Sequence, residues 1–250
     1  MKLSFISFSV AFAAATTALH AATVTGTLST PVTGTFALPS TPGSDWAYYM
    51  TSPPVGGAPT NTSNSGSGLF TVSPLGPAAT SLLGSGTPIT SFYYSFTNGT
   101  SPETSTPNTG ITGIRNNLTD TAAVGNGVQM TLNAQPQAGQ INLWIYTFNA
   151  TSSLKVYGYD TEVGGTGDLL FSGLVPNVAG KVAHQFSFDY VPTGTNDALR
   201  FEYLMEERTG ELANIGFAGI SFTPVPEPGV VSCAAVAALS CGFLRRRRMA

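Results

Sequence analysis

Apolar side chains recur at every second position along this sequence, a period that fits strands and excludes helices. Phe186, Phe188 and Tyr190 alternate with Gln185, Ser187 and Asp189, and Leu199, Phe201, Tyr203 and Met205 alternate with Arg200, Glu202 and Glu206. Successive side chains of a strand point to opposite faces, so each run sets one face in a core and the other in water. Residues 141–148 are apolar on both phases, with Ile141, Leu143 and Ile145 set against Trp144, Tyr146 and Phe148. Such a run marks a central strand covered on both sides. No stretch between Ala22 and Thr223 sustains a helical period. Further strands are expected at 23–28, 46–51, 69–73, 89–96, 128–133, 154–160, 169–172 and 215–222.

Between these runs lie turns built from Gly, Pro, Asn and Ser, drawn from a chain with 28 Gly and 17 Pro. Those residues punctuate helices rather than fill them. Segments 52–68, 74–88 and 98–110 are nearly uncharged and read as long surface loops. Ten or eleven short strands in about 200 residues suit one all-β domain, a two-sheet antiparallel β-sandwich of the jelly-roll kind. The second half, 154–222, resembles the secreted galactose-binding-like jelly rolls in pattern. Immunoglobulin-like and lectin-like sandwiches are the alternative folds.

Charge limits the partners. Five basic residues stand against twelve acidic ones between Ala22 and Thr223, a net charge of −7, while Lys2 and Arg245 to Arg248 lie at the ends. An acidic body is unsuited to nucleic acid or anionic lipid, which need a basic face. Both cysteines, Cys233 and Cys241, fall in the C-terminal apolar stretch, so the body holds no disulfide and no thiolate zinc site. His20 falls in the N-terminal segment, which leaves His184 as the body's one imidazole. It is expected at a strand start, on a sheet edge. The G-x-S-x-G elbow is missing.

The two ends read as addresses. Met1 and Lys2 precede an apolar run to Leu19, and Ala21 and Ala22 flank a cleavage position, so residues 1–21 read as a secretory signal peptide. At the other end Val225, Pro226, Glu227 and Pro228 precede the uncharged stretch 230–244, followed by Arg245, Arg246, Arg247 and Arg248. As a single short transmembrane helix that stretch spans about 22 Å, less than the roughly 30 Å hydrocarbon core. The arginines hold the cytoplasmic side, and the prolines stop the helix from running back into the body.

This order resembles the PEP-CTERM sorting signal of Gram-negative and related bacteria, over residues 224–250. The resemblance implies that a membrane-embedded exosortase reads the tetrad Val225 to Pro228 and processes the anchor. Arg245 to Arg248 then act as the stop-transfer cluster. The cargo is delivered to the cell surface or to an extracellular polysaccharide matrix. The implied partners are exosortase and the secretion machinery, the inner membrane transiently through the C-terminal helix, and extracellular polysaccharide.

Chemistry inside the body is sparse. Asp160, Glu162 and Asp168 sit in a Gly-rich loop that could bend oxygens around a structural Ca²⁺, or equally be a solvated hairpin loop, which is the reading preferred here. No other cofactor is expected. Glu202, Glu206, Glu207 and Glu211 are the dense carboxylates, but Glu202 and Glu206 would share one strand face about 13 Å apart at 3.3 Å per residue. Paired carboxylates of glycoside hydrolases lie roughly 5–9.5 Å apart across a cleft. Trp46, Tyr48, Tyr49, Trp144, Tyr157 and Tyr159 could stack on sugar rings, although a sandwich core needs most of them. Trp46, after a Pro-Gly turn, is the best exposed candidate, and it too is assigned to the core. Asn-x-Ser/Thr triplets start at Asn61, Asn98, Asn117 and Asn149, four against about three expected by chance, and do not indicate glycosylation.

These observations lead to an exported, non-catalytic surface or matrix protein associated with exopolysaccharide. A carbohydrate-binding module is the alternative, and a polysaccharide hydrolase or lyase is a weaker one.

Overall fold

The structure, a computed structural model, describes residues 22–28, 31–49, 59–64, 68–77, 81–84, 88–105, 111, 113–116, 124–162, 167–177 and 180–225. Ala21, Pro226, Glu227, Pro228, the stretch 230–244 and Arg245 to Arg248 lie outside the described residues, as do Asn117 and residues 163–166. Among the described residues the chain is all-β and holds no helix long and apolar enough to cross a membrane.

Two antiparallel sheets carry the fold. In the larger, β1 (Thr23–Leu28), β13 (Val182–Val191), β10 (Gly139–Phe148), β15 (Asn214–Pro224), β3 (Asp45–Tyr48) and β4 (Asn61–Thr62) lie in that order. Beside them β8 (Ile114–Asn116) pairs with β15, and β6 (Leu82–Gly84) pairs with β8, making eight strands. The second sheet runs β12 (Asp168–Val175), β11 (Ala150–Asp160), β14 (Asp197–Arg208), β9 (Gly127–Leu132) and β5 (Phe70–Leu75). A small parallel pair, β2 (Gly34–Ala37) with β7 (Phe92–Ser95), forms a third sheet.

The alternation explains the layers. Phe186, Phe188 and Ile220 of the larger sheet meet Val156, Phe201 and Met130 of the five-stranded sheet in one buried cluster. Each such side chain removed from water contributes about 1.5–3 kcal/mol. On the far side of the larger sheet, Trp46, Tyr48, Trp144 and Tyr146 pack with Phe92 and Tyr94 of the parallel pair's strand β7 in a second cluster. Strand β10 feeds both clusters, Ile141, Leu143 and Ile145 into the first and Trp144 and Tyr146 into the second. Its two apolar phases therefore have two cores to fill, as the sequence led us to expect.

Strand β15 solves a phase problem. Ile215 and Phe217 occupy odd positions and Ile220 and Phe222 even ones, yet all four belong to the first cluster. The register against β10 steps from Gly219 opposite Trp144 to Phe217 opposite Ile145, so Ala218 is the extra residue of a bulge. One extra residue restores the phase, and Ala218 joins the second cluster. Gly219 beside it leaves room for the Tyr94 hydroxyl, which would collide with any Cβ there.

Several expectations are corrected. The described residues contain fifteen strands rather than ten or eleven. Short β4 and β6 lie within segments read as loops, and β2 and β8 were not expected. These pieces have two to four residues, too few for a period to show. The third sheet is parallel and adds a cover layer to the expected two-sheet plan. His184 is not an edge residue. It is the third residue of β13, which lies between β1 and β10, and it pairs with Ile145. Its position shares the inward phase of Phe186 and Phe188, so the imidazole is buried, 1% exposed.

Candidate functional site

The outward face of the five-stranded sheet forms a grid fixed by register. One row crosses the strands as Leu169, Tyr157, Arg200, Thr131 and Thr71. The next row is Ser172, Lys155, Glu202, Gln129 and Ser73, and a third is Leu174, Ser153, Leu204, Gly127 and Leu75. Strand neighbours lie about 4.8 Å apart and successive rows about 6.6 Å. Leu169 and Leu174 are 55% and 66% exposed, and most of the grid is half-buried rather than sealed.

Each position follows from alternation. Leu154 and Val156 point into the first cluster, which turns Lys155 and Tyr157 outward, and Phe201 and Tyr203 do the same for Arg200 and Glu202. The Arg200 guanidinium carbon lies 4.8 Å from the Tyr157 ring centroid, and Arg200 forms an ion pair with Glu202, Nε to Oε1 3.0 Å. A guanidinium over an aromatic face is attracted by the ring quadrupole, so Arg200 covers one face of Tyr157. Ser153 Oγ hydrogen-bonds the Glu206 carboxylate, which occupies the extra position of a second bulge between Thr151 and Ser152 of β11 and its β14 partners.

The other residues singled out in the sequence are distributed differently. Trp46 is fully buried, and its indole Nε1 donates to Asn98 Oδ1 at 3.1 Å. Tyr48, Tyr49 and Trp144 are also core residues. Burial pushes the Tyr49 hydroxyl well above its ordinary value, and it raises Tyr48 against a weaker opposing hydrogen bond from Asn61. Tyr157 and Tyr159 alone of the six aromatics stay half-exposed. Glu202 is brought to Arg200 and Glu206 to Ser153, so the carboxylates of β14 do not converge on each other. Asp160 Oδ1 accepts the Glu162 N–H at 2.7 Å, closing its own turn. Among the described residues no group of three or more His, Cys, Asp or Glu is placed to hold a metal ion. Lys155, Arg200 and Gln129 were not singled out in the sequence, although their place in the polar phase of β11, β14 and β9 was readable.

Elsewhere Lys181 is 6% exposed, with its Nζ 4.1 Å from the Tyr146 ring centroid. Burial, with the Arg115 charge adding to it, lowers the Lys181 ammonium to about 7. Of the four residues Val225 to Pro228, Val225 is described. It is 52% exposed, and its N–H donates to the Ala138 carbonyl at 2.9 Å, directly after the last strand. Ala22, at the expected cleavage position, is fully buried in the first cluster.

No family model matches the chain, and no curated protein matches it. Among solved structures it is similar to the enzymatically active domain of tailspike protein 4 of bacteriophage CBA120, at 14% identity and a TM-score of 0.38. That match covers 63% of this chain and 19% of the tailspike chain, and is too slight to carry over fold or activity.

Proposed function

We propose that this is an exported, non-catalytic surface or matrix protein, sorted by its C-terminal signal into an extracellular polysaccharide layer. The observation that carries this reading is the order of the tail: the tetrad Val225-Pro226-Glu227-Pro228, then an uncharged stretch, then Arg245 to Arg248. The body's last strand supports it. β15 ends at Pro224, and Val225, the first residue of the tetrad, is held by one backbone bond to Ala138 while its side chain is half in water. We read the two large sheets as a jelly roll, because from β9 onward every step but the β11–β12 hairpin crosses between them, with β10, β13 and β15 in one and β9, β11, β12 and β14 in the other. The non-catalytic reading rests on the engagement of Glu202 by Arg200 and of Glu206 by Ser153.

A second reading, a carbohydrate-binding module, is favoured by the Tyr157 and Arg200 pair on the open sheet face. The sorting reading is tested in the native host by replacing Pro226-Glu227-Pro228 with alanines. The expected result is full-length chain retained in the membrane fraction and release reduced at least tenfold. Equal release from variant and parent cells contradicts it.

A further inference from the structure

We infer that the outward face of the five-stranded sheet binds a neutral, extended polysaccharide. This rests on the carbohydrate-binding reading and adds the class of glycan.

Sugar rings present apolar C–H faces and a rim of hydroxyls, so a protein surface that holds them must offer both characters side by side. The grid does. Leu174, Leu204 and Leu75 set apolar side chains on alternate strands of the third row, with Ser153 and Gly127 between them. Tyr157 of β11, with the Arg200 guanidinium of β14 over one ring face, adds an aromatic surface one strand in from the edge. Between them Ser172, Lys155, Glu202, Gln129 and Ser73 supply donors and acceptors in one line. A face of this kind can serve several hydroxyls of a chain lying across it, whereas a single small ligand would use only part of it.

Charge selects among glycans. On the face itself Lys155 and Arg200 are matched by Glu202 and Glu206, which makes it locally neutral. Its two ends are acidic. Asp160, Glu162 and Asp168 lie at one end of β11 and β12, and at the other end of β14 Glu207 and Glu211 outnumber Arg208. A polyanion laid along the face would meet negative charge at both ends, on a body of net charge −7. Like charges in such positions act against binding, while a neutral chain meets no such barrier.

The test is native affinity electrophoresis of the full chain in a mild non-ionic detergent. The gels contain hydroxyethylcellulose, dextran or galactomannan as neutral polymers, or alginate as an acidic one. The expected result is retardation by at least one neutral polymer and none by alginate. Tyr157→Ala should weaken that retardation at least tenfold, and so should Lys155→Met, which keeps the stem over the sheet and guards against a folding artefact. Tyr93→Ala, on the outward side of β7 in the third sheet, should leave it unchanged. Retardation by alginate alone overturns the neutral assignment and leaves the carbohydrate-binding reading standing. Retardation by none of the four overturns both. The inference is also overturned if the face proves to be a self-association surface, with Leu174→Lys converting a dimer to a monomer in light scattering and no neutral polymer retained.

Discussion

Asn61 Oδ1 accepts hydrogen bonds from both the backbone N–H and the hydroxyl of Thr100, at 2.9 and 2.7 Å, across 39 residues of chain. The same oxygen takes the Thr62 N–H, and Asn61 Nδ2 donates to the Pro102 carbonyl. Nearby, Asn98 Nδ2 donates to Ser63 Oγ while its Oδ1 receives the Trp46 indole. Two of the four Asn-x-Ser/Thr triplets are thus bonded to each other, and both serve to anchor loops beside the second cluster. Asn61→Ala should cost about 1–2 kcal/mol, because the amide of buried Asn61 ties together three donors and a carbonyl on partly exposed loops, and only some of these regain water. Equilibrium unfolding in urea measures this, and a change below about 0.5 kcal/mol counts against the network.

Gly127 of β9 lies against the Tyr203 carbonyl of β14, and a Cβ at this position would overlap that oxygen. The obstacle is backbone, which cannot swing aside as a side chain can. Gly127→Ala should therefore destabilise by about 2 kcal/mol or more, and the same test on Gly68, where nothing lies within 4 Å but φ is +70°, should cost about 1 kcal/mol from conformation alone. Thermal midpoints of the two variants compare the effects directly.

Alkali should act in two opposite steps. Lys181 falls to about 7 in the folded chain and has an ordinary value near 10.5 when unfolded, so between those limits the unfolded state binds the extra proton. Stability then rises with pH in that window, by at most about 1.4 kcal/mol per pH unit. Above pH 10 the sign reverses. Burial raises the Tyr190 hydroxyl to about 12 and Tyr203 and Tyr94 further, so these groups keep their protons longer when folded, and stability falls as pH climbs. Denaturant midpoints from pH 6 to 11.5 should trace a maximum near pH 10, and Lys181→Met should flatten the rising side while leaving the falling side in place.

Asn149 is the one residue between β10 and β11, and carries the chain from one large sheet to the other with φ at 50°. Its side chain donates to the Glu211 carbonyl. A left-handed residue is tolerated by Asn and Gly but opposed by a β-branched side chain. Asn149→Gly should change stability by less than about 1 kcal/mol, and Asn149→Val should cost about 2 kcal/mol or more. Equal effects of the two would contradict the corner.

The fold was readable wherever a strand was long enough to repeat its period. β10, β13 and β14 announce themselves through Trp144 and Tyr146, Phe186 and Phe188, and Phe201 and Tyr203. The odd-to-even step between Phe217 and Ile220 even signals the bulge at Ala218, although only the pairing shows where the extra residue goes. β4 and β6 were illegible because two or three residues cannot declare a period, and their strand form is imposed by neighbours. Trp46 was assigned to the core and lies there, but its partner Asn98 is 52 residues away in sequence, and nothing local could reveal that this amide would receive the indole. The open face was legible residue by residue through the polar phase, whereas the pairing of Tyr157 with Arg200 needs the register of β11 on β14.

The central claim is that both ends of the chain are addresses worn in transit. Mass spectrometry of the two terminal peptides, on protein recovered from outside the native host, tests it most directly. The account predicts a mature N-terminus at Ala22, within a residue or two, and loss of Arg245 to Arg248. An intact chain from Met1 to Ala250 found in the cytosol would contradict it.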